Sequence, residues 1–302
     1  MTRAAESEVL IESLIERLEA AYVAPEGAAA AASLVRAELA RGRYESVFGV
    51  ELCERISADL LTATGDRHLR LLWHDGVGAA SGEEQLVGDL IEQFRLENQG
   101  VRRVEQLERN IGLIELTVIP PAALAGEAIT AAIQLVQHTE ALILDLRGAR
   151  GGSPDGVAFF VSYLMPDGDV HLNDIVEGAN GPTRQYWTSA YVPGPRYLDR
   201  PVYVLTSATT FSGGEELAYD LQALGRALVV GEVTRGGAHP STVVSLGDNI
   251  ELRLPIARTV NAVTGRNWEG VGVRPDLPGS AGDALELALG KIAQPARVGS
   301  SG

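Results

Sequence analysis

From Leu69 onward, short runs of apolar residues alternate with turns rich in glycine. Residues 141–146 and 202–205 are two such runs, and each is followed by a glycine-containing turn and then by a longer apolar stretch. Short apolar runs that alternate with longer amphipathic stretches are typical of strands alternating with helices. The pattern therefore predicts an α/β fold for this part of the chain.

The segment before this region has a different periodicity. Leu10, Leu14 and Leu18 recur at spacings of four, which is typical of an amphipathic helix. We predict a bundle of three helices over residues 1–64, an α/β domain over residues 65–296 and a flexible tail over residues 297–302. The predicted strands are 69–73, 101–107, 111–118, 141–146, 202–205, 227–230, 242–246 and 251–254, and the predicted helices of the α/β domain are 122–137, 155–164, 213–224 and 281–292.

The charge of the chain restricts its partners. With 25 Lys and Arg residues against 40 Asp and Glu residues the net charge is −15, which repels nucleic-acid backbones and anionic membrane surfaces. No apolar run is long enough to cross a bilayer, and residues 1–22 lack the apolar block of a secretory leader. We therefore expect a cytoplasmic protein that binds no nucleic acid and does not insert into membranes. The single cysteine, Cys53, excludes an internal disulfide and a thiolate metal cluster, and we expect neither a metal nor a cofactor.

A serine at the junction of a predicted strand and a predicted helix is the first candidate for chemistry. Ser212 follows the strand at 202–205 after a short turn, and Gly213 and Gly214 open the helix. At such a junction the hydroxyl is exposed above the end of the sheet, and the next backbone N–H groups point the same way and can stabilise an oxyanion. The simpler interpretation is that Ser212 only caps the helix.

A second glycine turn follows the predicted strand at 141–146 and ends in Gly151 and Gly152. It lacks the Gly-Lys-Ser/Thr ending of a nucleotide-binding loop, and its spacing does not fit the dinucleotide fingerprint. A second oxyanion donor is therefore a better functional interpretation than a phosphate site, and a plain turn is the alternative.

A serine nucleophile needs a base. His68 lies in a turn that enters a predicted strand and His239 lies in a glycine-rich loop, so either ring could be held facing a cleft. The only lysine, Lys291, lies near the C-terminus. Glu269, between a tryptophan and a glycine, is a candidate third residue, although a salt bridge to a neighbouring arginine would also account for it.

Five motifs in a fixed order resemble one family. They are Gly-Asp-x-His-Leu-Arg at 65–70, Leu-Ile-Leu-Asp-Leu-Arg-Gly at 142–148, Thr-Phe-Ser-Gly-Gly-Glu-Glu at 210–216, Gly-Arg-Ala-x-Val-Val-Gly-Glu-x-Thr at 225–234 and Trp-Glu-Gly-x-Gly-Val-x-Pro-Asp at 268–276. Together they resemble the tail-specific (C-terminal processing) serine peptidases, in particular bacterial relatives of the interphotoreceptor retinoid-binding protein and the tricorn protease core. The resemblance implies a crotonase-like ββα catalytic domain behind the small helical bundle, without the peptide-binding PDZ module of the tail-specific enzymes.

The resemblance also implies roles for individual residues. Ser212 would be the nucleophile. The tail-specific branch uses a lysine base, but Gly237 falls where that lysine would stand, so the tricorn branch implies a base at His68 and an acid at Glu269 instead. Tricorn has a second serine beside its histidine, and Arg67 occupies that position here.

The implied oxyanion donors are the amide that follows the nucleophile, at Gly213, and an amide of the second glycine turn, at Gly151 or Gly152. Candidates for substrate contact are His239, Arg147, Tyr186 and Trp187, and packing would account equally for the two aromatic residues.

The expected function is that of a serine peptidase, which cleaves peptide or small acyl substrates through an acyl-enzyme. Two alternatives remain open at this point. One is a carrier for a hydrophobic ligand such as a retinoid or fatty acid, and the other is an acyl hydrolase or cyclase for a specialised metabolite. His239 remains an alternative base, and assembly into a homo-oligomer is compatible with the sequence.

Overall fold

The computed structural model describes residues 3–74, 83–166, 168–247 and 249–294. These residues fall into two compact units. The first unit comprises the described residues within Met1–Leu90, Asn173–Gln185 and Gly237–Gly270, and the second comprises those within Ile91–Leu172, Tyr186–Gly236 and Val271–Gly302.

Helices and strands are numbered here in chain order. The helices are α1 (Arg3–Ala21), α2 (Pro25–Ala40), α3 (Gly49–Thr64), α4 (Glu83–Leu96), α5 (Ala122–Val136), α6 (Pro154–Ser162), α7 (Gly213–Ala223) and α8 (Ala284–Ile292). The strands are β1 (Arg70–Trp73), β2 (Val101–Leu107), β3 (Ile111–Leu116), β4 (Ala141–Asp145), β5 (His171–Glu177), β6 (Thr183–Trp187), β7 (Val202–Thr206), β8 (Ala227–Gly231), β9 (Ser241–Ser245), β10 (Ile250–Pro255), β11 (Ala257–Asn261) and β12 (Leu277–Pro278).

In the first unit, three helices share a core with a small sheet. Helices α1 to α3 form within the predicted residues 1–64, and β1, β10 and β9 form an antiparallel sheet in that order. Leu14, Ile56 and Leu252 belong to one buried cluster, which joins α1, α3 and β10. The apolar faces of the helices are thus covered by strands from distant parts of the sequence, which belong to the same compact unit.

The second unit is built on one six-stranded sheet with the order β12-β8-β7-β4-β3-β2. Strands β3, β4, β7, β8 and β12 are parallel, and β2 pairs with β3 antiparallel. Ile143 of β4 and Tyr203 of β7 are paired in register and pack with Ala284 of α8 in a buried cluster on one face of the sheet. A mixed α/β architecture is thus confirmed, and the parallel order places the carboxyl ends of β4 and β7 side by side.

Several elements were not predicted. Strands β5, β6 and β11 form a further three-stranded sheet, in the order β11-β5-β6. Helix α4 was not predicted either. The predicted tail at 297–302 lies outside the described residues. Among the residues that are described, no helix has the length and apolarity needed to cross a membrane.

Candidate active site

Ser212 lies at a strained junction between β7 and α7. Strand β7 ends at Thr206, a turn follows, and α7 begins at Gly213, directly after Ser212. The backbone of Ser212 has φ 53° and ψ −122°, a conformation that residues other than glycine rarely adopt. Such strain concentrates at functional sites, and a sharp strand-to-helix turn of this kind presents a nucleophilic serine in hydrolases. The side chain is half-buried.

Glycines from two turns pack directly beside this serine. A Cβ atom on Gly151 would lie 3.4 Å from Cβ of Ser212, and a Cβ atom on Gly213 would lie 2.6 Å from the backbone nitrogen of Gly152. The second distance leaves no room for a side chain, so the two turns meet backbone to backbone. The backbones of Gly151, Gly152 and Gly213 therefore lie close to Ser212, where an oxyanion site would need its N–H donors.

Polar side chains hold the two turns together. The Thr210 hydroxyl donates to the carbonyl oxygen of Leu146 at 2.8 Å and accepts the N–H of Ser207 at 3.0 Å. The Ser207 hydroxyl donates to the carbonyl oxygen of Arg147 at 2.7 Å, and the N–H of Phe211 donates to the carbonyl oxygen of Ala149 at 3.0 Å. The relative position of the two glycine turns is thus fixed by direct hydrogen bonds between the loops that follow β4 and β7.

Replacing Thr210 with valine is expected to destabilise the protein by about 1–3 kcal/mol, because the isosteric side chain leaves a buried carbonyl and a buried N–H without their partner. Thr210 is fully buried, whereas its neighbour Thr209 is exposed. Urea unfolding of Thr210→Val, Thr210→Ser and the control Thr209→Val measures the effect. The serine variant should stay close to wild type, and Thr209→Val should lose less stability than Thr210→Val because Thr209, whose hydroxyl contacts Ser207 and Arg147, is exposed to water. A Thr210→Val protein as stable as wild type would contradict the proposed role of the Thr210 hydroxyl.

A buried carboxylate fixes the serine turn from the other side. Glu215 accepts the backbone N–H of Ser212 at 2.8 Å through Oε2, and it accepts the Thr234 hydroxyl and the N–H of Gly236, both at 2.6 Å, through Oε1. Glu215 is fully buried. It lies in the first turn of α7 and links this turn to the loop after β8.

In the first unit, the end of α3 positions His68. Helix α3 terminates at Gly65, whose left-handed conformation (φ 72°) turns the chain out of the helix. Oδ1 of Asp66 then accepts the N–H of His68 at 2.9 Å, which closes a tight turn. Asp66 is 2% exposed and His68 is 3% exposed. Burial, reinforced by the positive charges of nearby arginines, lowers the pKa of the His68 ring to about 4 despite the opposing charge of Asp66.

The loop before β9 brings a second histidine to the same carboxylate. Nδ1 of His239 lies 2.7 Å from Oδ2 of Asp66 and 3.7 Å from Oε2 of Glu269. The N–H of Ala238 donates to Oε2 of Glu269 at 2.5 Å. Burial disfavours the charged form of His239, but the two carboxylates outweigh it and raise the pKa of the ring. Burial opposes ionisation of Asp66 as well, and the His239 contact still lowers the pKa of that carboxyl.

Donor atoms of Asp66, His68 and Glu269 lie within 4.8 Å of one another and could in principle hold a metal ion. Imidazole and carboxylate donors are those that zinc accepts. Arg70 and Arg253, however, exert a positive electrostatic effect on His68. This positive charge disfavours a bound cation.

The structure brings the predicted site residues together in two groups. Ser212, Gly213, Gly151 and Gly152 are neighbours in the second unit. His68, His239 and Glu269 cluster in the first unit, around Asp66. Sequence reasoning did not assign functions to Asp66 or Glu215. The signal for Asp66 was its place two residues before His68, the spacing of a side-chain-capped turn.

The guanidinium of Arg147 makes several contacts within the fold, and its predicted substrate role stays a prediction. Its Nε and Nη2 atoms bind the carboxylate of Asp145 at 2.9 and 2.6 Å, and Nη1 donates to the carbonyl oxygen of Ala281 at 2.7 Å. Trp187 is 44% exposed and stacks on His171, with 4.3 Å between the ring centroids. Tyr186 is half-buried. A substrate role for these two aromatic residues stays a prediction.

A parallel sheet that carries a strained serine against glycine amides is typical of serine hydrolases. The sequence profile of peptidase family S41 matches residues 110–278, which is more than half of the chain. This chain belongs to peptidase family S41, a family of serine-type peptidases. The predicted resemblance to the C-terminal processing peptidases is thereby confirmed.

Three individual relatives share between 16% and 32% of their aligned residues with this chain. The chain is 32% identical over 171 residues to carboxyl-terminal-processing peptidase 2 of Arabidopsis thaliana, a chloroplastic protein; this segment is 56% of the chain and 32% of the plant protein. The chain thus spans about a third of the length of that relative. Among solved structures, a lipoprotein from Streptococcus agalactiae has a TM-score of 0.59 at 16% identity, covering 95% of this chain and 96% of that one. A photosystem II D1 C-terminal processing protease has a TM-score of 0.53 at 16% identity, covering 93% and 94%. These two similarities establish the fold alone.

Proposed function

We propose that this chain is a serine peptidase in which Ser212 attacks a peptide carbonyl and forms an acyl-enzyme. The observation that supports the proposal most is the strained backbone of Ser212 at the β7–α7 junction, next to the backbone of two glycine turns. A helix cap needs no such strain, because capping serines normally have extended backbone angles. We also propose that the catalytic domain is crotonase-like, as the resemblance of its motifs implies.

The proposed reaction has two steps. Oγ of Ser212 bonds to the carbonyl carbon while its proton passes to His68, and the resulting oxyanion is stabilised by the N–H of Gly213 and by that of Gly151 or Gly152. The tetrahedral intermediate collapses when His68 returns the proton to the leaving amine, which leaves the acyl group on Ser212. Water then repeats the sequence, with His68 as the base again, and releases the acid.

His68 is the proposed base because its ring is neutral over the physiological pH range. A ring with a pKa of about 4 is deprotonated at pH 7 and can accept a proton. Glu269 is the proposed acid partner, since its carboxylate lies in the same cluster as the ring. A lysine base has a single candidate, Lys291 in α8, and the sequence motif of the lysine branch is not matched.

We further propose a peptide substrate, either a protein C-terminus or a small peptide. The name of the plant relative describes carboxyl-terminal processing, and family membership supports peptide rather than lipid chemistry. The absence of a PDZ module remains part of this proposal, and it would place substrate selection in the chain's own loops.

Treatment with a fluorophosphonate probe tests the proposal directly. The wild-type protein is expected to react covalently and to lose peptidase activity in proportion, and peptide mapping by mass spectrometry should place the adduct on Ser212. The matched control is Lys291→Ala, which should react at the wild-type rate. Failure of the wild type to react anywhere between about pH 6 and 9, where a neutral imidazole is available, would favour a binding protein instead.

A further inference from the structure

We propose that Asp66 and His239 form a positioning pair, which ties the turn that carries His68 to the carboxylate of Glu269. The inference rests on the proposed function, because it assigns the pair to the support of the proposed base and its acid partner. Neither Asp66 nor the Asp66–His239 contact follows from the Ser212, His68 and Glu269 arrangement.

Asp66 is the centre of the arrangement because both of its carboxylate oxygens are engaged. Oδ1 accepts the N–H of His68 at 2.9 Å, and Oδ2 lies 2.7 Å from Nδ1 of His239 and accepts the Tyr22 hydroxyl at 3.1 Å. With Asp66 only 2% exposed, water competes little for these contacts. A charged hydrogen bond in such surroundings holds its partners more tightly than a neutral one. Asp66 therefore fixes the backbone of His68 and the ring of His239 at the same time.

His239 extends the connection to the acid partner. Its Nδ1 atom is 3.7 Å from Oε2 of Glu269, and the preceding residue, Ala238, donates its N–H to that same oxygen at 2.5 Å. Trp268, next to Glu269, donates Nε1–H to the carbonyl oxygen of Gly237 at 2.8 Å. The loop that contains Gly237 and Ala238 thus contacts both Glu269 and its neighbour Trp268. His239, in the same loop, connects it to Asp66.

The charges of the cluster give the pair an electrostatic role. Two carboxylates that face one imidazole would repel each other if that imidazole were neutral, whereas an imidazolium between them lets both stay ionised. The charged and titratable groups that act on His68 are Asp66, Arg70, His239 and Arg253, and those that act on His239 are Asp66, Arg258 and Glu269. The charged form of His239 also acts on the nearby His68 ring, whose pKa it lowers.

This role predicts a specific pH effect. His239 lowers the pKa of His68 by its positive charge. When that charge is removed, the negative charge of Asp66 raises the pKa of His68 with less opposition from positive charge. The acid limb of the kcat/KM profile should therefore move to higher pH. A merely structural role of His239 would leave the limb in place.

The test compares three single variants of the full chain. His239→Asn keeps an N–H donor near the position of Nδ1 but carries no charge, and Asp66→Asn removes the charge from the other side of the pair. His74→Gln is the matched control, because Nε2 of His74 lies 2.7 Å from Oε2 of Glu251, in a pair of the same length within the same unit. Steady-state hydrolysis of a chromogenic peptide is measured from pH 4 to 9, together with thermal unfolding.

His239→Asn and Asp66→Asn are each expected to lower kcat about tenfold to a hundredfold with little change in KM, the size of loss that misplacement of a catalytic group produces. The acid limb should move upward in His239→Asn, and His74→Gln should match wild type. A His239→Asn protein with the wild-type rate and pH profile would overturn the proposal. A loss as large as that of His68→Ala, without a shifted limb, would make His239 the base and would overturn the positioning role.

NMR titration of the histidine rings separates this inference from the proposed function. In the wild type, the His239 ring should titrate above its ordinary value of about 6.5, and it should titrate lower in Asp66→Asn. In His239→Asn, the His68 ring should titrate at higher pH than in wild type. A wild-type chain without peptidase activity would refute the proposed function, whereas a His239 pKa that does not change in Asp66→Asn would refute the pair. Should Asp66→Asn fail to fold, the His68 titration in His239→Asn decides alone.

Discussion

A Ser212→Ala protein is expected to be inactive, with kcat/KM at least about a thousandfold below wild type, the size of loss that follows removal of an acyl-forming serine. The physical reason is that the proposed reaction begins with a bond from Oγ of Ser212, and alanine offers no atom that can form it. The fluorophosphonate adduct should disappear in the same variant. Peptide hydrolysis and probe labelling, each measured on purified protein, check the two expectations.

The loss must be separated from damage to the fold. Ser212 also precedes the first turn of α7, and replacing a capping serine with alanine costs about 0.5–2 kcal/mol of stability. Ser153 provides a matched control, since it precedes α6 directly after the second glycine turn. Ser153→Ala removes a hydroxyl that donates to Asp155, and the variant should stay active. Residual activity in Ser212→Ala above the stated range, or an adduct on another residue, would disprove the assignment of the nucleophile.

Fully buried strands carry a clear sequence signal. Strands β4 and β7 were predicted to within a residue, because every position in them is buried and their sequences are almost entirely aliphatic or aromatic. Strand β6 reads Thr-Arg-Gln-Tyr-Trp and is largely exposed, so its composition does not differ from that of a loop. Pairing with β5, rather than its own residues, makes this segment a strand. Local sequence does not record such pairing.

In the candidate site, too, contacts between residues far apart in sequence could not be predicted from local sequence. Ser212 could be found from its neighbours in sequence, since a strand, a serine and two glycines define its turn. The contact between Asp66 and His239 joins residues 173 positions apart, and neither residue carries a local sign of the other. Glu215 was visible as an acid in the first turn of α7, but its bonds to Thr234 and Gly236 depend on how β8 and the following loop return to the helix.

The pKa values of the two histidines in this cluster shift in opposite directions, because burial and carboxylate contacts act on them to different extents. For His68, which is 3% exposed, burial outweighs the opposing charge of Asp66, so the pKa of the ring falls to about 4. His239 pays a similar cost, but Nδ1 directly faces Asp66, so its pKa rises instead. At neutral pH the first ring is therefore a proton acceptor, whereas the carboxylates beside the second ring favour its charged form more than in an ordinary histidine. This division is the reason for assigning the base to His68 and the supporting role to His239.

Replacing His68 with alanine is accordingly expected to lower kcat/KM about a thousandfold or more at pH 7, because the Ser212 proton then has no acceptor other than water. The wild-type profile of kcat/KM against pH reports the pKa of the base in the free enzyme. With a His68 pKa of about 4, the ring is neutral above that pH, so activity should be nearly constant from about pH 5.5 to 8 and fall as the pH approaches 4.

The same profile discriminates between the two imidazoles. The pKa of His239 lies above its ordinary value, so a His239 base would already be partly protonated at neutral pH, and activity would decline on acidification from above about pH 6.5. His138→Ala, at an exposed histidine just after α5, is the control and should retain the wild-type rate and profile. A His68→Ala protein with substantial activity, combined with a wild-type limb above pH 6.5, would transfer the role of base to His239. If His68 is the base, kcat/KM of the wild type should fall only as the pH approaches 4. His68→Ala should then lose both the activity and this pH dependence.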